Sequence, residues 1–71
     1  MKSTVDLCSI ARAGGSISIP SSKSTVDLCS IARAGVESGA TLIVRDAGKK
    51  STVDLCSIAR ANPGKVIFEI E

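Results

Sequence analysis

The stretch KSTVDLCSIARA occupies residues 2–13 and recurs without a single change at residues 23–34 and 50–61. In each copy a serine stands three residues before an aspartate, which is typical of a capping box at the start of a helix. We expect each serine to be an N-cap and each aspartate to reach back to the backbone of its serine. The serines are Ser3, Ser24 and Ser51, and the aspartates are Asp6, Asp27 and Asp54. The repeat therefore predicts three helices that begin in the same way.

The rest of each copy has the pattern of an amphipathic helix. At about 100° per residue, Leu7, Ile10 and Ala11 fall on one apolar stripe, with Cys8 at its margin. The residues predicted to point outward are Val5, Ser9 and Arg12, together with their copies. Each helix should therefore bury one narrow face.

The residues after each copy predict where the helices end. Gly14, Gly35 and Asn62 are residue types that adopt the left-handed conformation just beyond a helix, and Pro63 prevents the third helix from continuing. The second helix has two candidate ends, Gly35 and Gly39.

The segments between and after the copies alternate with a period of two, as strands do. They are residues 16–19, 41–45 and 65–71. The apolar positions predicted to face the helices are Ile17, Ile19, Leu42, Val44, Val66, Phe68 and Ile70. The opposite positions are mostly polar, which favours a sheet covered by helices on one face only. The fold predicted is a two-layer α/β protein.

The order of elements is α-β-α-β-α-β, and right-handed crossovers with all helices on one side make the strands parallel and adjacent in chain order. We interpret residues 1–71 as one domain of three helix-strand units, at about 2–20, 23–46 and 50–71. This layout resembles a short leucine-rich-repeat solenoid. The leucine-rich consensus L-x-x-L-x-L-x-x-N is absent, so the resemblance covers the layout and implies no binding function.

The identity of the copies extends to positions where packing does not require it. Outward residues recur unchanged, whereas the strands between the copies differ from one another. This combination favours an engineered protein with a structural role and no enzymatic activity, in which one helix sequence serves at three positions. The alternatives are a recent natural duplication and a peptide displayed three times.

Composition narrows the classes of function. The chain of 71 residues has no His, Trp or Tyr and one Phe, and its net charge is +2 with the signs interspersed. We therefore expect no nucleic-acid binding, because single-strand binders stack bases on aromatic rings and need a basic face. No apolar run approaches the roughly 20 residues that span a bilayer, and no signal peptide precedes the first helix, so a soluble, unexported protein compatible with cytoplasmic recombinant expression is expected.

A core this small is thin, so self-association, as a homodimer or a larger assembly, is a further expectation. The rival to a purely structural role is a binding or assembly module. Its docking surface would be the outward row of Val5, Val26 and Val53, or the bare sheet face with Ile43 and Ile67.

Three equivalent thiols, Cys8, Cys29 and Cys56, are weak candidates for a metal site. Neighbouring helices lie roughly 10 Å apart, which separates identical side chains too far for one zinc ion or for an intrachain disulfide. We therefore expect no metal and no cofactor, and three small reduced thiols near the core.

Residues Gly48-Lys49-Lys50-Ser51-Thr52 resemble the end of a phosphate-binding loop, G-x-x-x-x-G-K-[ST]. The first glycine of that motif would fall at Ile43, and Lys50 separates Lys49 from Ser51, so nucleotide binding is not expected. Weak anion binding at Lys23-Ser24 or Lys49-Ser51 stays open.

Catalytic chemistry has little support. No histidine is present to activate a serine or cysteine as a nucleophile. The carboxylates closest in sequence are Glu69 and Glu71, which we interpret as charges that discourage pairing at a sheet edge, with Pro20 acting similarly at the other edge.

Overall fold

A computed structural model of the protein describes residues 1–70 and shows three helices alternating with three strands. The elements are α1 (Thr4–Arg12), β1 (Ile17–Pro20), α2 (Thr25–Ala34), β2 (Leu42–Arg45), α3 (Thr52–Ala61) and β3 (Val66–Phe68). A short 3₁₀ turn, Ala47–Lys49, precedes α3. The predicted α-β-α-β-α-β order is confirmed.

The strands form one parallel sheet in the order β1-β2-β3. Ile17 of β1 lies beside Leu42 of β2, which lies beside Val66 of β3. The Ile17 N–H donates to the Thr41 carbonyl at 3.0 Å, and the Leu42 N–H donates to the Lys65 carbonyl at 2.9 Å. Sequential neighbours in parallel pairing are what short right-handed crossovers produce.

The core lies between the sheet and the helices. Its largest fully buried side chains are Leu28, Ile31 and Ile58 from the helices and Val44 from the central strand. On the other face of the sheet Ile43 is half-buried and Ile67 is exposed. The predicted two-layer arrangement is therefore present.

The last strand is shorter than its alternating pattern predicts. β3 ends at Phe68, and Ile70, which was expected to face the helices, is 61% exposed. The Glu69 N–H still donates to the Val44 carbonyl, so Ile70 follows the last residue held to the sheet. Glu71, the other predicted edge charge, lies outside the described residues.

The three helices end close to the predicted residues, but the predicted left-handed conformation follows only one of them. Gly14 adopts a left-handed conformation, with φ +102°. Gly35 has φ −89° and Asn62 has φ −153°, so neither is left-handed. The positive φ falls later, at Gly39 and Gly64.

Tertiary contacts explain these two exceptions. α2 ends at Ala34, and a Cβ on Gly35 would lie 3.1 Å from the Ala40 Cβ, so glycine is needed there for close approach. Asn62 is buried and donates its side-chain N–H to the Ala40 carbonyl at 3.3 Å. Gly35 therefore serves close packing within the second unit, and Asn62 joins the third unit to the second, so neither forms a left-handed helix end.

Other residues outside the repeat also join neighbouring units. The Ser38 hydroxyl donates to the Ala11 carbonyl at 2.6 Å, and the Ser21 hydroxyl donates to the Asp46 carbonyl at 2.7 Å. Like Asn62, they donate to main-chain carbonyls of the neighbouring unit. The segments outside the repeated copies therefore help to hold the three identical helices in their stacked positions.

Candidate functional site

The serine hydroxyls of the repeat are engaged within their own helices. Each capping serine accepts a hydrogen bond from the N–H of the aspartate three residues later, at 3.1, 3.1 and 3.2 Å in α1, α2 and α3. The second serine of each copy donates to a carbonyl four residues earlier, as Ser9 does to Val5 at 3.1 Å. These hydroxyls therefore take part in helix capping and in hydrogen bonds to the preceding turn.

The aspartates take part in the caps differently from the prediction. Asp6, Asp27 and Asp54 contribute their backbone N–H groups. Among the hydrogen bonds of residues 1–70, none joins one of these carboxylates to the N–H of its serine. A carboxylate in the first turn still interacts favourably with the positive end of the helix dipole, which needs no direct hydrogen bond.

The lysines that begin the second and third copies make a contact that sequence reasoning missed. The Lys23 ammonium donates to the Thr4 hydroxyl at 3.1 Å, and the Lys50 ammonium donates to the Thr25 hydroxyl at 3.3 Å. Both pairs are partly buried and join the start of one helix to the start of the helix before it. The signal in the sequence was the recurrence of Lys and Thr in every copy, which fits a translational stack.

These contacts define two sides of each helix. The thiol side carries the Thr, Cys and Arg of the repeat, which in α1 are Thr4, Cys8 and Arg12. The isoleucine side carries the Lys, the Ile and the last Ala, which in α2 are Lys23, Ile31 and Ala34. The thiol side of α1 packs against the isoleucine side of α2, and α2 packs against α3 in the same way.

The three thiols consequently have three different environments. Cys8 is buried, Cys29 is half-buried and Cys56 is exposed, and all three are free. Within the part of the chain that the structure describes, no three Cys, Asp or Glu side chains are grouped so that they could hold a metal ion. The structure spreads the predicted candidates along the stack instead of bringing them together.

The three isoleucines show the opposite gradient. Ile10 is 38% exposed, whereas Ile31 and Ile58 are 1% and 0% exposed. The prediction that Ile10 belongs to the buried stripe is therefore wrong for α1. Its side chain points to the side on which α1 has no neighbouring helix among the described residues, while Cys8, predicted at the margin, faces α2 and is buried.

A groove runs between α1 and α2 on the outer surface, with a volume of about 360 Å³. It is lined by Cys8, Arg12, Ser30, Arg33, Ala34 and Glu37. Its arginines and its glutamate are exposed, so their charges are screened by water. The groove offers hydrogen-bond donors and an acceptor on an open surface.

The segment that resembles a phosphate-binding loop uses its lysines elsewhere. Lys49 lies 2.9 Å from the Asp46 carboxylate, and this hydrogen bond, with the attraction between the charges, raises the pKa of Lys49 above its usual value of 10.5. Lys50 contacts Thr25, and the Asp54 N–H is occupied by Ser51. Both lysines of this segment and the Asp54 amide thus have partners within the protein.

None of the helices in residues 1–70 is both long enough and apolar enough to cross a bilayer. Comparison with protein-family models, with curated proteins and with solved structures gave no match.

Proposed function

We propose that this chain is an engineered structural protein, in which one helix sequence occupies three positions of a two-layer α/β repeat fold, and that it carries no enzymatic activity. The observation that carries the proposal is the exposure of the repeated valines. Val5, Val26 and Val53 are 75%, 75% and 73% exposed, so packing within the fold does not require them to be identical. Copying of a whole helix explains their identity more simply than selection for packing does.

The different contributions of the repeated copies and of the segments between them support the same proposal. Each copy supplies a complete helix, with its own cap, apolar face and basic last turn. The Lys–Thr hydrogen bonds between helices come from within the copies and recur at both contacts. Ser21, Ser38 and Asn62, which lie outside the copies, add hydrogen bonds that are each made at one contact between units. A scaffold built in this way accepts any helix that presents the correct cap and stripe.

The test replaces residues 52–61 with an unrelated amphipathic helix of equal length, keeping the cap at Ser51 and the apolar spacing. We expect the far-ultraviolet circular dichroism spectrum and a cooperative thermal melt to be retained, because the stripe and the cap carry the structural information. The matched control has the same composition as the replacement, with its residues reordered to destroy the stripe, and should lose the cooperative melt. Loss of the melt in the stripe-preserving variant would contradict the proposal.

A further inference from the structure

The two outer helices each leave one side unpaired among the described residues, and these are the same two sides that pack together inside the protein. α1 leaves its isoleucine side free, where Ile10 is 38% exposed. α3 leaves its thiol side free, where Cys56 is exposed. Inside the stack the same residue types are covered, as Ile31 and Cys8 show.

We propose that this protein associates head to tail with further copies of itself, the thiol side of α3 in one copy packing against the isoleucine side of α1 in the next. The contact repeats the geometry that joins α1 to α2 and α2 to α3. Because the helix sequences are identical, every side chain that the repeat supplies to the internal contacts is also present at the two free sides. The inference extends the structural role proposed above by naming its partner.

The Lys–Thr pairs show the match in detail. Inside the protein, Lys23 reaches Thr4 and Lys50 reaches Thr25. The remaining members of the series are Lys2 and Thr52, both exposed. In a head-to-tail contact, Lys2 of one copy lies where it can donate to Thr52 of the copy before it, which completes the series.

The free sides of the outer helices are only partly polar. End units of repeat arrays need a polar outer face. Here the free side of α1 carries Ile10 and Ala13 beside Lys2, and that of α3 carries Cys56 beside Arg60, so each free side includes uncharged residues that have covered equivalents inside the protein. A second copy covers these residues with the surface that already covers their equivalents.

In this contact, β3 of one molecule can pair with β1 of the next in the register found inside the sheet, except for one hydrogen bond. The Ile17 N–H donates to β2, so the main-chain groups of the next residue, Ser18, point to the free edge of β1. By the same alternation, the main-chain groups of Val66 and Phe68 point to the free edge of β3. Extending the ladder places Val66 beside Ile17 of the next copy. Pro20 has no N–H to donate, so one ladder bond is missing. The contact between copies is therefore weaker than the internal contacts and reversible.

A contact between two different surfaces has a distinctive consequence. When two protein molecules bind, the pair still has one free surface of each kind. Further molecules can therefore add, and growth does not stop at a dimer unless the assembly closes into a ring. The protein should accordingly form open-ended linear assemblies whose average size increases with concentration.

The first test is sedimentation velocity over a range of concentrations in reducing buffer, which prevents disulfides through Cys56. We expect the average mass to rise steadily from the 7.3 kDa monomer. The variants Ile10→Arg and Cys56→Arg each block one surface, and each should stay monomeric alone. Their equimolar mixture should form only a two-chain complex, because one free surface of each kind remains. Val5→Arg, an exposed outward change in the same helix, is the matched control and should associate like the unaltered protein.

Three results would overturn the inference: an unaltered protein that stays monomeric at every concentration, a Cys56→Arg variant that still forms dimers, or a Val5→Arg variant that loses association. The second result would indicate a symmetric contact. The result of the helix replacement described above does not depend on association. Each of the two proposals can therefore be contradicted without the other.

Alkylation of the thiols supplies a second measurement that does not require arginine variants to fold. The three helices give the same tryptic peptide, STVDLCSIAR, so variants that retain a single cysteine are needed. With Cys8→Ala and Cys29→Ala in place, the iodoacetamide reaction at Cys56 should slow several-fold as protein concentration rises. The variant that retains only Cys29 is the control, and its rate should not change with concentration. A Cys56 rate independent of concentration would contradict head-to-tail association.

Discussion

The isoleucine of the repeated sequence has two kinds of surroundings in this protein. Ile31 and Ile58 are enclosed by the preceding helix and the sheet, whereas Ile10 lies at the free side of α1. The free energy of burying a side chain depends on the apolar area removed from water and on the packing around it. Identical residues therefore contribute unequally to stability.

Replacing isoleucine with valine at two equivalent positions measures this difference. Ile58→Val should lower the free energy of unfolding by about 0.5–1.5 kcal/mol, because a methylene group leaves a close-packed site. Ile10→Val is the matched control and should change it by less than about 0.5 kcal/mol. Urea denaturation followed by circular dichroism, at a concentration where the protein is monomeric, gives both values. Equal losses at the two positions would show that α1 is buried on its isoleucine side in solution.

At the scale of elements, the three helices are equivalent in their caps and differ in their neighbours. α2 packs against a helix on each side, while α1 and α3 each pack against one. The contact between neighbours combines apolar packing with a Lys–Thr hydrogen bond at the helix start. A charged donor in a partly buried site forms a stronger hydrogen bond than a neutral one.

A double-mutant cycle on Lys50→Met and Thr25→Val tests that hydrogen bond. We expect a coupling of about 0.5–1 kcal/mol between the two changes, because each alone removes the same contact. Lys2→Met is the control in the monomer, since Lys2 is exposed and is bonded to no threonine within residues 1–70. Thermal unfolding of the single and double variants supplies the free energies. Additive effects at Lys50 and Thr25 would mean that the contact contributes nothing to stability.

At the scale of the whole molecule, the helices cover one face of a three-stranded sheet, and within residues 1–70 no helix covers the other. Val44 of the central strand points into the core and is fully buried. Ile67 points to the opposite face and is 51% exposed. The two layers therefore place neighbouring strand positions in opposite environments.

Substituting threonine on each face checks the layer count. Val44→Thr should lower the free energy of unfolding by about 1–3 kcal/mol, because it buries a hydroxyl without a partner. Ile67→Thr keeps a β-branched residue on the bare face and should change stability by less than about 0.5 kcal/mol. Denaturation midpoints in urea compare the two. A large loss at Ile67 would indicate that something covers the bare face in solution.

Much of the fold could be predicted from the sequence because it depends on local chemistry. The serine caps at Ser3, Ser24 and Ser51 and the alternation in the strands are short-range signals, and chain connectivity then restricts the sheet to parallel neighbours. The backbone conformation just after α2 and α3 was less predictable, because Gly35 and Asn62 both lie against Ala40, which is distant in sequence from Asn62.

The threefold stretch KSTVDLCSIARA by itself determined that there are three helices and how each begins. It did not determine which copies of its isoleucine and cysteine are buried, since identical sequences carry no information about their neighbours. Only the tertiary structure decided that Ile10 and Cys56 are exposed, because α1 and α3 each lack a helix on one side among the described residues. Burial depends on a residue's position in the stack, whereas the position at which each helix begins depends on the local sequence of its cap.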